Sequence, residues 1–187
     1  MKKKTVNELE KGYSGIFGAQ VALVNRKGKS IMVMQTKKAK VEPKGNQVKS
    51  QDNFTLAARY AKNILLDPDM LVLYTLKSCK GTPPYIVALT DYLRPPYVSE
   101  INTRDYEGNV GDQIHVVAFD DFAVTEVKVF ILNPAGVVIE KGVCVLNTVT
   151  NGYDYTATVA VNDLTGVEII AEARDYPGHI GENMVTL

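Results

Sequence analysis

After Tyr97 the chain alternates apolar and polar residues, and turn signals interrupt it every ~8–12 residues. Such alternation puts successive side chains on opposite faces of a strand, so one face of each strand must be buried. Candidate strands are 98–104, 112–119, 124–132, 136–146, 152–161, 166–174 and 180–186. The breaks between them read as turns: Glu107-Gly108, Gly111-Asp112, Asn133-Pro134-Ala135-Gly136, Asn151-Gly152, Leu164-Thr165-Gly166 and Pro177-Gly178. Ile114, Val116 and Ala118 point one way. So do Val127, Val129 and Ile131, then Tyr155, Ala157 and Val159, then Ile169, Ala171 and Ala173. Seven short strands of this kind predict two packed sheets, an all-β immunoglobulin-like sandwich.

The first half follows another rule. Residues 13–36 read as a β-hairpin, 15–24 paired with 29–34, with Lys27-Gly28 at the turn. Residues 37–51 read as a basic polar linker containing Pro43 and Gly45. Helical spacing begins near Asp52, with Phe54, Ala57, Ala58, Ala61, Ile64 and Leu65 on one stripe. Asp67-Pro68 supplies an N-cap and a first helical residue for a second helix that runs toward Cys79. Pro83-Pro84 opens a third helix, Tyr85 to Leu93. Arg94-Pro95-Pro96 ends it and marks the boundary between residues 1–95 and 96–187. The expected fold is an α+β N-terminal region, a β-hairpin plus three short helices, followed by a sandwich of about seven strands.

Charge separates the same halves. Residues 1–95 carry 17 Lys and Arg against 7 Asp and Glu, whereas residues 96–187 carry 4 against 14. Opposite halves favour head-to-tail association or an acidic partner for the first half. No apolar run reaches the roughly 18–20 residues that span a bilayer, so no membrane role is expected. The charged start, Met1-Lys2-Lys3-Lys4, precedes no apolar signal core, which points to cytoplasmic synthesis without Sec export. Cys79 and Cys144 read as separate thiols. No P-loop, dinucleotide fingerprint, zinc spacing or nucleophile elbow occurs, and His115 and His179 have no nucleophile in a motif, so no enzymatic activity is expected.

Three carboxylates, Asp120, Asp121 and Asp175, follow strands that should end at one pole of a sandwich. Hard oxygen ligands gathered there are a candidate Ca²⁺ site, and the plainer reading is that they cap turns. The Lys-rich stretch 27–49 offers either a solvated linker, contact with an acidic protein or, as an alternative function, a nucleic-acid adaptor. Tyr85, Tyr92, Tyr97 and Tyr106 gather around the Pro-Pro boundary, where they suit an interface or packing between the halves. Ile16, Phe17, Val21, Leu23, Ile31, Val33 and Met34 form a candidate assembly surface, because a lone hairpin cannot bury them.

The order of these features resembles a group of short Bacteroidota proteins without an assigned function. The residues that carry the likeness are Tyr60-Ala61-Lys62, Asp67-Pro68 and Pro95-Pro96, then Gly111-Asp112 through Asp120-Asp121-Phe122, Tyr155-Thr156-Ala157-Thr158 and Ala173-Arg174-Asp175-Tyr176-Pro177-Gly178. The ending also resembles the immunoglobulin-like modules of bacterial surface and phage proteins, with His179 where those modules carry Asn. The resemblance implies the sandwich fold and transfers no activity. The edges of such a sandwich, a hairpin that needs a docking surface and the oppositely charged halves lead to the expectation of a structural protein that self-assembles, or joins another structural protein, in a filament, lattice or phage-like particle.

Overall fold

The structure, a computed structural model, describes residues 15–17, 21–26, 29–34, 44–79 and 81–187. The chain divides into two units, Met1–Gly45 and Asn46–Leu187. In the first, β1 (Gly15–Phe17), β2 (Val21–Arg26) and β3 (Lys29–Met34) form one antiparallel sheet in the order β1-β2-β3. The expected long first strand is therefore two strands, with Phe17 opposite Val21. A ten-residue strand facing a six-residue one would leave about four residues without a cross-strand partner, and reversal pairs Gly15, Ile16 and Phe17 with Leu23, Ala22 and Val21. The Lys27-Gly28 turn lies outside the described residues.

The second unit begins with α1 (Asn46–Ile64), α2 (Pro68–Leu76) and α3 (Pro84–Leu93). The expected linker is corrected here: residues 46–51 are helical, and 37–43 lie outside the described residues. Nothing after Gly45 breaks a helix, and the Ser50 and Thr55 hydroxyls donate to carbonyls one turn back instead of competing for the backbone. Small residues set the packing of α1: Ala57 and Ala61 are fully buried, while Phe54, placed on the same stripe by spacing, is exposed. Asp67 caps α2 by accepting the Asp69 amide at 2.9 Å, and Pro84 opens α3.

Eight strands follow: β4 (Tyr97–Asn102), β5 (Gln113–Phe119), β6 (Glu126–Leu132), β7 (Val138–Val143), β8 (Val145–Asn147), β9 (Gly152–Thr156), β10 (Glu168–Arg174) and β11 (Ile180–Thr186). They build two four-stranded antiparallel sheets, β11-β10-β6-β7 and β4-β5-β9-β8. The stretch read as one strand over 136–146 is two. β7 pairs with β6 in one sheet, and after Cys144 β8 pairs with β9 in the other. Alternation continues unbroken across such a crossing, so periodicity alone does not reveal it.

Ile114, Val116, Val127, Val129, Ile131, Tyr155, Ile169, Ala171 and Ala173 from both sheets share one core, as their phase predicts. Val159 departs from that phase, because β9 ends at Thr156, and it is exposed. Two glycines permit close approach. A Cβ on Gly142 would lie 2.5 Å from the Tyr155 ring, and one on Gly181 would overlap the Pro96 carbonyl where β11 meets the start of β4. Together the hairpin sheet, three helices and two larger sheets make a mixed α+β chain. The Pro95-Pro96 boundary lies inside the second unit.

Candidate functional site

Two places concentrate chemistry or unsatisfied surface. The first is the junction of helices and sheets. Phe122, from the turn after β5, is buried in the helical core with Ala57, Ala61, Tyr74, Ala88 and Leu89. Its ring stacks on Tyr74 at 4.3 Å between centroids, and Tyr176 meets it edge-on at 5.6 Å. Lys77 Nζ donates to the Phe122 carbonyl at 2.5 Å. A polar chain then links all three helices. The Tyr60 and Tyr74 hydroxyls lie 3.0 Å apart, and Tyr74 donates to Asp91 Oδ2 at 2.5 Å.

Asp91 is 1% exposed, and its Oδ1 has no hydrogen-bond partner among the described residues. Burial pushes its carboxyl up to about 7, against the Tyr74 hydrogen bond. The charges of Asp120 and Asp175 push the same way, and His179 opposes. Burial likewise raises Tyr60 to about 12 and pushes Tyr74 well above its ordinary value.

The candidate metal residues surround this point. Asp120 and Asp175 both lie near enough to act on Asp91; Asp120 Oδ2 and both Asp175 oxygens are engaged, while Asp120 Oδ1 is buried with no hydrogen-bond partner among the described residues. Asp120 Oδ2 accepts the Phe122 and Ala123 amides at 2.9 and 2.7 Å. Asp175 Oδ1 accepts the Gly178 and His179 amides at 2.7 and 2.6 Å, and its Oδ2 meets His179 Nδ1 at 3.1 Å. Asp121 turns outward to Arg94 at 2.5 Å. Among the described residues no group of three or more His, Cys, Asp or Glu is arranged to hold a metal ion. Asp91 escaped the sequence reading, although it follows Ala88 by one helical turn and so shares its buried stripe.

A pocket of about 200 Å³ opens between α3 and the turn after β5. Ile86, Val87 and Phe122 form its apolar wall, and Thr90, Asp91 and Asp121 supply its polar lining.

The boundary tyrosines are packing residues for the most part. Tyr92 lies between Tyr60 at 5.3 Å and His179 at 4.7 Å, Tyr85 packs on the helical core, and Tyr106 is buried in the sheet core. Tyr97 packs on Phe119 and remains exposed. His115 lies on the face opposite Ile114 and Val116, as its phase predicts. Asp154, opposite His115 in the β5–β9 pairing, meets His115 Nδ1 at 2.5 Å and accepts from Asn147 Nδ2 at 2.7 Å. Those hydrogen bonds hold its carboxyl below the usual range.

The second place is unpaired strand surface. In β3, Ile31, Met32, Val33 and Met34 are consecutive and all exposed, between 45% and 80%. Ile16 is exposed too, and Val21 and Leu23 are half-buried. In the second unit, β7 and β8 are edge strands of their sheets. Val138, Val143, Val145, Leu146 and Val149 are exposed along this continuous stretch. Comparison with protein-family models, curated proteins and solved structures finds no match to this chain. Among the described residues, no helix is long and apolar enough to cross a membrane.

Proposed function

We propose that this is a non-enzymatic structural protein that self-assembles, or decorates a larger assembly, by adding strands to exposed sheet edges. The observation that carries the reading is β3. Neighbouring residues of a strand face opposite sides, so four consecutive exposed apolar residues put bare apolar surface on both faces of a three-stranded sheet. Exposure of that kind marks an interaction surface. The β7–β8 edge offers a receiving site. Natural edges are usually blunted by charge, proline or a bulge, and the stretch from Val143 to Val149 has no charged residue and no proline.

We further read the paired four-stranded sheets, with their shared core and a chain that passes from β7 in one to β8 in the other, as an immunoglobulin-like sandwich. That fold commonly serves as an interaction module. Light scattering of the full chain at tens of micromolar tests assembly directly: particles well above the 20.6 kDa monomer are expected. Deletion of residues 1–36 should leave a folded monomer. A full-length chain that stays monomeric throughout overturns the proposal.

A further inference from the structure

Resting on the assembly reading above, we infer that the partner is a second copy of this chain, and that β3 of one copy adds to the β7–β8 edge of the next. Unlike surfaces then meet, and the contact repeats from copy to copy. The two flanks of the paired sheets differ in what they can receive. On one flank β4 and β11 lie beside each other. Gly181 of β11 sits so close to the Pro96 carbonyl that a Cβ would overlap it, and Asn183 Nδ2 donates to the Val98 carbonyl at 3.3 Å. This flank is also blunted. β4 follows Pro95-Pro96 and is irregular between Val98 and Glu100 in its pairing with β5, and β11 carries Glu182. The other flank holds β7 and β8, each the last strand of its sheet. From Val143 to Val149 it has neither proline nor charge, and Val143, Val145 and Leu146 are exposed along it. An added strand therefore has one open flank to join.

Charge selects which strand joins it. Met1–Gly45 carries 11 Lys and Arg against 3 Asp and Glu, while residues 46–187 carry 10 against 18. The boundary between the two units is thus also the boundary between net charges of +8 and −8. Pairing β3 with β3 brings two basic units together. Pairing one β7–β8 edge with another brings two acidic units together. Like charge opposes both. β3 on the β7–β8 edge brings basic to acidic, and long-range attraction steers that encounter. β3 also has what strand addition needs. One side is paired with β2, and the other has no strand beside it among the described residues. Its apolar residues lie on both faces, so either face can continue an apolar surface of the receiving sheet. A contact between unlike surfaces leaves one of each unused on every pair, and so it propagates into a ring or a fibre.

Two full-length variants test the pairing. Met32→Lys with Val33→Lys puts charge on both exposed faces of β3, and Val145→Lys with Leu146→Lys puts it on the receiving edge. Circular dichroism of both should match the parent chain. Where a pair unfolds, Met34→Lys or Val145→Lys alone takes its place, at positions 80% and 73% exposed. By light scattering at tens of micromolar, each variant alone should be a monomer, because each lacks one of the two surfaces. Mixed in equal amounts they should form particles of two chains, about twice 20.6 kDa, because each keeps the surface the other needs. A β3 variant that still associates alone shows edge pairing with edge, and an edge variant that still associates alone shows β3 pairing with β3. Either result overturns the inference, as does a mixture that stays monomeric while the parent chain assembles. In all three cases the assembly reading survives. A parent chain that is itself monomeric overturns that reading, and this inference with it.

Discussion

Two buried carboxylates carry opposite pH signatures because their donors differ. Burial is the main cause at Asp91, only the Tyr74 hydrogen bond and His179 oppose it, and the charges of Asp120 and Asp175 add to it, so its proton stays on up to about pH 7 in the folded chain, against an ordinary value of 3.8. The folded state therefore binds more protons than the unfolded state between those values, and stability falls as pH rises from about 4 to about 7. Above that window the loss is complete. Asp91→Asn cannot ionise, so this contribution to the fall should be missing from its Tm profile, and the variant should gain on the parent chain by several °C at pH 8. A parallel fall in both proteins counts against the account. At Glu140, burial works against the charge, but donors from Thr158 and Tyr155 and the Val159 amide outweigh it and hold the carboxyl below its usual range. Three of those contacts are 2.6–2.7 Å. Stability from this group is present above the ordinary value of 4.5 and is lost as pH falls through the lower folded value. Glu140→Gln should cost about 1–3 kcal/mol at pH 7 by spoiling these donors' acceptor. At a chain of this size that is about 2–4 °C per kcal/mol, and the difference should shrink toward pH 3. Neither role was drawn from the sequence, although Glu140 has the same strand parity as the buried Cys144.

At the scale of elements, legibility followed locality. Asp67 and the Pro84 helix start were readable because capping is a contact within one turn. The inward phase of β5, β6 and β10 was readable because period two repeats over seven residues. The early start of α1, the extra strand of the hairpin sheet and the break at Cys144 were not, since each depends on which neighbour a segment pairs with. The β7–β8 stretch also makes the assembly proposal testable element by element. Val145→Lys with Leu146→Lys puts charge on exposed positions of the edge and should leave Tm within about 1 °C, as surface changes usually do. The same pair should reduce particle mass to that of a monomer if this edge receives strands. Unchanged particle mass would assign assembly to β3 alone.

For the whole molecule, the second unit is held together by an aromatic residue from a sheet turn inserted into the helical core. Phe122 is 5% exposed and stacked on Tyr74. Phe122→Ala should therefore cost about 3–5 kcal/mol. It should lower the helical and sheet signals of residues 46–187 together, in one transition followed by circular dichroism and tyrosine fluorescence. Separate transitions, with the sheets unaffected, would show that helices and sheets unfold independently. The sequence by itself determined the order of helices and strands, the inward face of most strands and the opposite charge of the two halves, because these follow from spacing and composition along the chain. Only the tertiary structure decided that Asp91 faces Tyr74 across 17 residues, that Glu140 meets Thr158 across 18, and that one alternating stretch divides into strands of two sheets. Such pairings bring together residues that the chain keeps apart, and the partner of a buried polar group is set by the packing around it, not by its own neighbours in sequence.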